Sequence, residues 1–273
     1  MINYTERISL LMEDIVARVP TLSFIDMRRV LVFARAGKTG TDGAYATCHC
    51  LCLPPSEPGY YFWRDRKTGQ LTRRSEWFVT RSPELHISAQ QIDYMVSFAL
   101  PRFCEQSLSR SRKRIHYEDQ PNWVAKLDTI IHELYHIDPE RPGIRRMERA
   151  DGTYSANCHG RRFFEDVVGM VRQYVGSNPD PAVYDFLQHN FDELTERHGG
   201  VVGTTFRSFP SYPQRYADAL NPQPAIDTDM ECRVEPLKAP RATTRFTESD
   251  LVMRQFLDGT SRQLVRSGKF CAA

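Results

Sequence analysis

The sequence has no long apolar run, no polybasic arm and no acidic tail. Its apolar stretches fall well short of the roughly 18–20 unbroken residues of a membrane span, so a membrane role is not expected. Formal net charge is only +2, from 36 basic and 34 acidic residues, which is too small to define a partner by steering. Lysine is scarce: 6 of the 36 basic residues are Lys and 30 are Arg. That bias can follow base composition and carries little functional weight alone. An export signal is not visible either. Residues Met1 to Arg18 lack a basic start and carry Glu6, Glu13 and Asp14. The seven cysteines are an odd number, and the expectation is reduced thiols in a cytoplasm. What is present is ordinary for a globular chain: 41% hydrophobic and 26% charged residues over 273 positions, a length that suits one or two domains.

The chain divides by pattern. Residues 2–18 predict an amphipathic helix with Ile8, Leu11, Met12 and Ile15 on one face, stopped near Pro20. Ile25 to Ala34 and Ala44 to Leu53 predict strands around a Gly-rich loop, in the manner of a long antiparallel hairpin. Residues 54–76 are rich in Pro, Gly and charge and predict a surface excursion. Trp77 to Arg81 predicts a short strand, and Tyr94 to Leu100 another, closed by Pro101. Trp123 to Ile137 and His159 to Val175 predict two apolar helices. Gly176-Ser177-Asn178-Pro179 is the strongest boundary signal in the chain. It separates residues 1–178 from an extension, 179–273, with predicted helices at Pro181 to Arg197 and Ser249 to Arg266 and no clear period over 199–246. The fold class expected is α+β, and no internal repeat is visible.

One stretch carries chemistry: His132-Glu133-Leu134-Tyr135-His136. This is H-E-x-x-H inside a predicted helix. Residues i and i+4 of a helix stand one above the other, so both imidazoles reach one metal ion. Glu133, beside the first ligand, is placed to take a proton from water that the metal activates. Zinc suits imidazole ligands with a fourth position left for water. A third protein ligand must come from elsewhere. The metzincin form of the motif needs Gly at 139 and His at 142, and both are Pro. A carboxylate from the next helix is one candidate, from Glu165 or Asp166. His159 is the better one, because a third neutral imidazole matches the first two and the loop before it is long enough to bring it back.

His132-Glu133-Leu134-Tyr135-His136-Ile137 followed by His159-Gly160-Arg161-Arg162-Phe163 resembles the SprT-like zincin metallopeptidases. It is closer still to a related phage and bacterial metallopeptidase family. Arg145-Arg146 and Asp151-Gly152 between the two motifs fit that family, and the resemblance covers roughly residues 20–175. It implies a zincin-like fold, with a small and mainly antiparallel sheet, an active-site helix and here a helical C-terminal extension. It implies zinc on His132, His136 and His159 and Glu133 as general base, acting on a protein or peptide substrate that the family does not define. Two competing readings are a DNA-associated SprT-like protease and a non-enzymatic binding protein on the same fold. For the oxyanion, Tyr154, Arg145, Arg146 and Arg161 are within sequence reach. Asp128, Asp151 and Asp166 are candidates to orient the imidazoles, with Glu148, Asp151 and Glu165 in reserve as ligands.

Three weaker signals have plainer readings. Cys48, Cys50 and Cys52 share one strand face and, with Cys232, offer thiols to a soft metal, but three Cys alternating along a strand lack the usual knuckle spacing, so core packing is favoured. Ser109 to Arg114 is a basic run ahead of the motif and a weak nucleic-acid candidate; without interleaved aromatics it reads better as a solvated loop. Residues 1–178 hold 25 basic and 21 acidic residues, and 179–273 hold 11 and 13, so neither part is strongly charged. Tyr60 to Trp63 reads as packed chain more readily than as an exposed aromatic lip.

Overall fold

The computed structural model describes residues 1–40, 43–52, 58–59, 62–64, 71–74, 78–81, 83–140, 142–145, 159, 162–208, 214–217, 245–257 and 262–264. Helix α1 (Tyr4–Arg18) starts where the Asn3 side chain accepts the Glu6 N–H, and it stops at Val19 before Pro20. Its stripe of Tyr4, Ile8, Leu11, Met12 and Ile15 is fully buried. The expected first helix is therefore present, with its apolar face inward.

The central sheet has three strands: β1 (Val30–Gly37), β2 (Ala46–Cys50) and β3 (Tyr94–Pro101), in the order β1-β3-β2. The expected hairpin between the first two does not form. β3 lies between them, parallel to β1 and antiparallel to β2. The reason is burial: every residue of β3 is buried, whereas β1 and β2 keep partly exposed positions. A strand covered throughout is best placed in the middle, where both of its edges are hydrogen-bonded. The period of two is clear on both faces. Val30, Val32 and Ala34, with Val96, Phe98, Ala46 and Cys50, face a large core shared with the helices. Phe33, Met95 and Leu51 face a smaller core with Leu85, Ile92, Phe206 and Leu251.

Helices α2 (Val124–Tyr135) and α3 (Phe163–Gly176) pack on each other, and α2 also packs on β2 and α1. The second core helix begins at Phe163 and not at His159, with Glu165 and Asp166 in its first turn where acidic side chains favour the helix dipole. After Asn178, α4 (Pro181–Tyr184) passes into a 3₁₀ turn, and α5 (Phe191–His198) starts afresh. The single helix expected there is broken because Asn190 and Glu193 form a capping box that begins a new one.

Beyond α5 the chain turns to strand. β4 (Val201–Phe206) pairs with Ile2–Asn3 on one side and with β5 (Leu251–Phe256) on the other. The helix expected over Ser249 to Arg266 is absent: Thr247 and Asp250 form a capping box, but it closes one 3₁₀ turn and the chain then extends as β5. Phe256 packs in the large core and Leu251 in the small one, so burial on both faces erased the period of two. The fold is thus mixed α+β, with five α-helices and small sheets among the described residues. No helix among them is long and apolar enough to cross a membrane. Residues 54–57 and most of 199–246 after β4 lie outside the described residues, as do Tyr60 and Tyr61; Phe62–Arg64 is a short strand paired with Leu71–Arg74.

The large core runs from Tyr4 to Phe256 and includes Phe186, Leu187, Leu194 and Val201 from beyond residue 178. Each such side chain contributes about 1.5–3 kcal/mol by burial, so together they match a typical total stability of about 5–15 kcal/mol. A chain ended at residue 178 is expected to lose its cooperative unfolding transition in urea, whereas an independent unit would keep it.

Candidate metal centre

Helix α2 is buried on nearly every side. Val124, Ala125, Leu127, Ile130, Ile131 and Leu134 are at most 1% exposed. His132 and His136 sit at its end, one turn apart, with ring centroids 4.7 Å from each other. His136 is the capping residue, and its carbonyl accepts the Arg145 N–H at 2.7 Å as the chain doubles back through an Ile137–Ile144 bridge. His159 enters from the segment ahead of α3. Its ring centroid lies 4.9 Å from that of His132 and 4.9 Å from that of His136. One nitrogen from each of the three rings falls within 4.8 Å of the others, and among the described residues this is the single such group of three or more metal-ligating side chains.

Phe163, the aromatic residue of the second motif, forms the floor of this group. Its ring lies 4.8–4.9 Å from all three imidazoles and from Tyr135. Phe164 stacks on His159 at 5.3 Å and remains half exposed. Burial in this apolar setting draws both His132 and His136 down to about 3 and lowers His159 as well, so all three rings are neutral at ordinary pH.

The donor set fits a divalent cation. The Nε2 atoms of His132 and His159 are 3.0 Å apart, a separation at which two lone pairs repel unless a proton or a cation lies between them. A tetrahedral centre with bonds of about 2.0–2.1 Å places its ligand nitrogens about 3.3–3.4 Å apart. Nδ1 of His136 is buried without a hydrogen-bond partner, and a buried polar atom in that state calls for one.

Glu133 is 6% exposed, and its carboxylate accepts the Cys48 backbone N–H at 2.7 Å. That N–H belongs to the edge strand β2, on the side away from β3. Burial raises the Glu133 carboxyl to about 7, opposed by the Cys48 N–H and by the charges of Lys113 and Arg35. A carboxyl in that range exchanges a proton readily near neutral pH.

Other residues singled out in the sequence have different partners. Asp128 accepts the Tyr117 hydroxyl at 2.6 Å and pairs with Lys113, and Asp166 accepts the Tyr135 hydroxyl at 3.0 Å; both carboxylates are engaged away from the imidazoles. Glu165 is exposed, and neither it nor Asp166 joins the three-histidine group. The guanidinium of Arg145 lies 4.1 Å over the Tyr135 ring, and its charge acts on His136. Arg146, Glu148, Asp151, Tyr154, Arg161 and Cys232 lie outside the described residues. Cys48, Cys50 and Cys52 do not form a three-thiol group; Cys50 is buried in the large core and Cys48 packs against it.

The basic run is not a uniform surface. Lys113 turns inward and donates to Thr129 Oγ1 at 2.6 Å and to the Ala125 carbonyl, besides pairing with Asp128, while Arg114 is exposed. Three contributors escaped the sequence: the Cys48 N–H, Lys113 and the packing role of Phe163. Only the last had a signal, in the Phe of the second motif. Comparison with protein-family models, with curated proteins and with solved structures found no match for the chain.

If Phe163 fixes the three rings, Phe163→Ala should weaken binding of a divalent metal by about 10–100-fold, the usual cost of losing a group that orients metal ligands. Competition with a chromophoric chelator measures this, and unchanged affinity would remove Phe163 from that role.

Proposed function

We propose that the chain is a zinc-dependent metallopeptidase with a zincin-like fold, similar to the SprT-like enzymes, that hydrolyses peptide bonds in a protein or peptide substrate. The observation that carries this reading is the convergence of His132, His136 and His159 beside a buried glutamate that neighbours the first of them. His132, His136 and His159 would hold zinc with three protein ligands, the number of catalytic sites and not the four of closed structural ones. Bound there, zinc supplies Lewis acidity that acidifies water and polarises a carbonyl.

The protein's own groups do the rest. Phe163 holds the three rings together and excludes water beneath them. The Cys48 N–H fixes the Glu133 carboxylate on the β2 side. From there Glu133 takes the proton from water and later returns it to the leaving amine. Of the oxyanion candidates Tyr154, Arg145, Arg146 and Arg161, Arg145 is the one among the described residues; it is held over Tyr135 with its backbone N–H on the His136 carbonyl, and it is the group assigned to steady the developing oxyanion. A cytoplasmic setting, in which thiols stay reduced, belongs to this reading. The DNA-associated form of this reading loses support from Lys113, which is bound to Asp128 and Thr129.

Purified protein should hold about one zinc per chain. Glu133→Gln should keep the metal and lose about 10²–10⁴-fold in peptide hydrolysis, while His159→Ala should lose the metal itself. Elemental analysis and a proteome-derived peptide library read the two effects separately. Zinc bound without any hydrolysis that depends on Glu133 would leave a metal-binding protein and not a peptidase.

A further inference from the structure

We propose that Cys50 and Cys52 are a peroxide-reactive dithiol that closes reversibly to a disulfide, and that closure releases the Glu133 carboxylate from the β2 edge. The peptidase reading enters only in the consequence, since a loosened Glu133 is a switched-off site only if Glu133 carries a proton. The two sulfurs are already 3.5 Å apart. Cys50 ends β2 and Cys52 stands two residues on, so the strand period puts both on one side of the chain. No third ligand joins them in a metal-sized group among the described residues, which favours two-thiol chemistry.

The pair has a reactive member and a resolving one. Cys52 is partly exposed and lines a cavity of about 290 Å³ together with Asp93, Tyr94, Ile137 and Pro139, so a small oxidant can reach it. The hydrogen bond from Cys50 favours the Cys52 thiolate and lowers its pKa, while Cys50 is buried and held as the thiol. The Cys52 sulfur attacks one peroxide oxygen; an S–O bond forms, the O–O bond breaks and one water leaves. The Cys50 sulfur then attacks the Cys52 sulfur; the S–S bond forms, the S–O bond breaks, and the Cys50 proton leaves in the second water. Two thiols have lost two hydrogens and two electrons, and one peroxide has become two waters. A small thiol reverses the reaction by exchange.

Closure must move backbone. Residues i and i+2 of a strand are about 6.4–6.8 Å apart at Cα, the upper limit of what a disulfide usually spans. The sulfurs must also approach to about 2.0–2.1 Å. The chain at 50–52 therefore puckers, two residues from the Cys48 N–H that holds Glu133. On the other side, Cys52 shares its cavity with Tyr94, whose hydroxyl donates to the Gly143 carbonyl at 3.1 Å and accepts the Gly143 N–H at 3.2 Å. Gly143 belongs to the turn that brings Arg145 back to His136. A strained bond of this kind is readily reduced, as a switch requires.

The test treats the full-length reduced chain with hydrogen peroxide, maps thiols by mass spectrometry and follows amide hydrogen exchange at residue 48. Expected are a linkage between Cys50 and Cys52 that dithiothreitol reverses, Cys104 left reduced, and Cys48 amide exchange about tenfold faster in the oxidised form. Cys50→Ser should prevent the linkage and hold exchange at residue 48 at its reduced-state rate under peroxide. The proposal is overturned if both thiols stay open to alkylation, if either pairs with another cysteine instead, or if the linkage forms with residue 48 unchanged. None of these readings uses zinc or hydrolysis, so their failure is distinct from failure of the peptidase reading.

Discussion

The hydrogen bond from the Cys48 N–H to the Glu133 carboxylate ties helix α2 to the edge of the central sheet, and the candidate site is organised around it. A backbone donor can serve a side chain only if its strand is unpaired on that side. β2 meets this condition because β3 pairs with its other edge. β3 in turn takes the middle because all eight of its residues are buried. The burial pattern of one strand thus decides which N–H is left for the glutamate. Exchanging the order of β2 and β3 would place a ladder hydrogen bond where Glu133 now binds.

Around this tie the protein separates neutral from charged groups. The three imidazoles sit on Phe163, where burial keeps them unprotonated and their lone pairs available. Two lysines, one packed on α2 and one within it, are satisfied by other partners. Lys113 meets Asp128 and Thr129. Lys126, only 4% exposed, donates to the carbonyls of Leu187 and His189 and so binds the segment after α4 to the motif helix. Two of the chain's six lysines therefore hold α2 in place, a structural use that the bias toward Arg had left invisible.

Much of the site was legible because its signals are local. The i, i+4 spacing of His132 and His136, the apolar stripe of α2 and the breakers at Pro139 and Pro142 all act within a few residues. His159 was within reach because a third imidazole is the ligand type that the first two call for. What misled was signal shared by two structures. Thr247 to Asp250 caps a turn as it would cap a helix, and Leu251, Val252 and Phe256 lie on one side of a helix as easily as on two faces of a strand. The Gly-rich loop before β2 suggested a hairpin because a strand 44 residues after Cys50, Tyr94 onward, gives no sign locally of where it will insert.

By itself, then, the sequence determined the three side chains that could hold a metal ion: His132 and His136 at the end of one helix, and His159 ahead of the next. Those follow from side-chain type and helical period, which need no tertiary information. Tertiary structure decided the rest. It placed β3 between β1 and β2, joined Ile2–Asn3 to β4, carried the core past residue 178 and turned Lys113 inward. Each of these depends on contacts between residues far apart in the chain, and their energies come from burying surface jointly. No window of sequence contains both halves of such a contact.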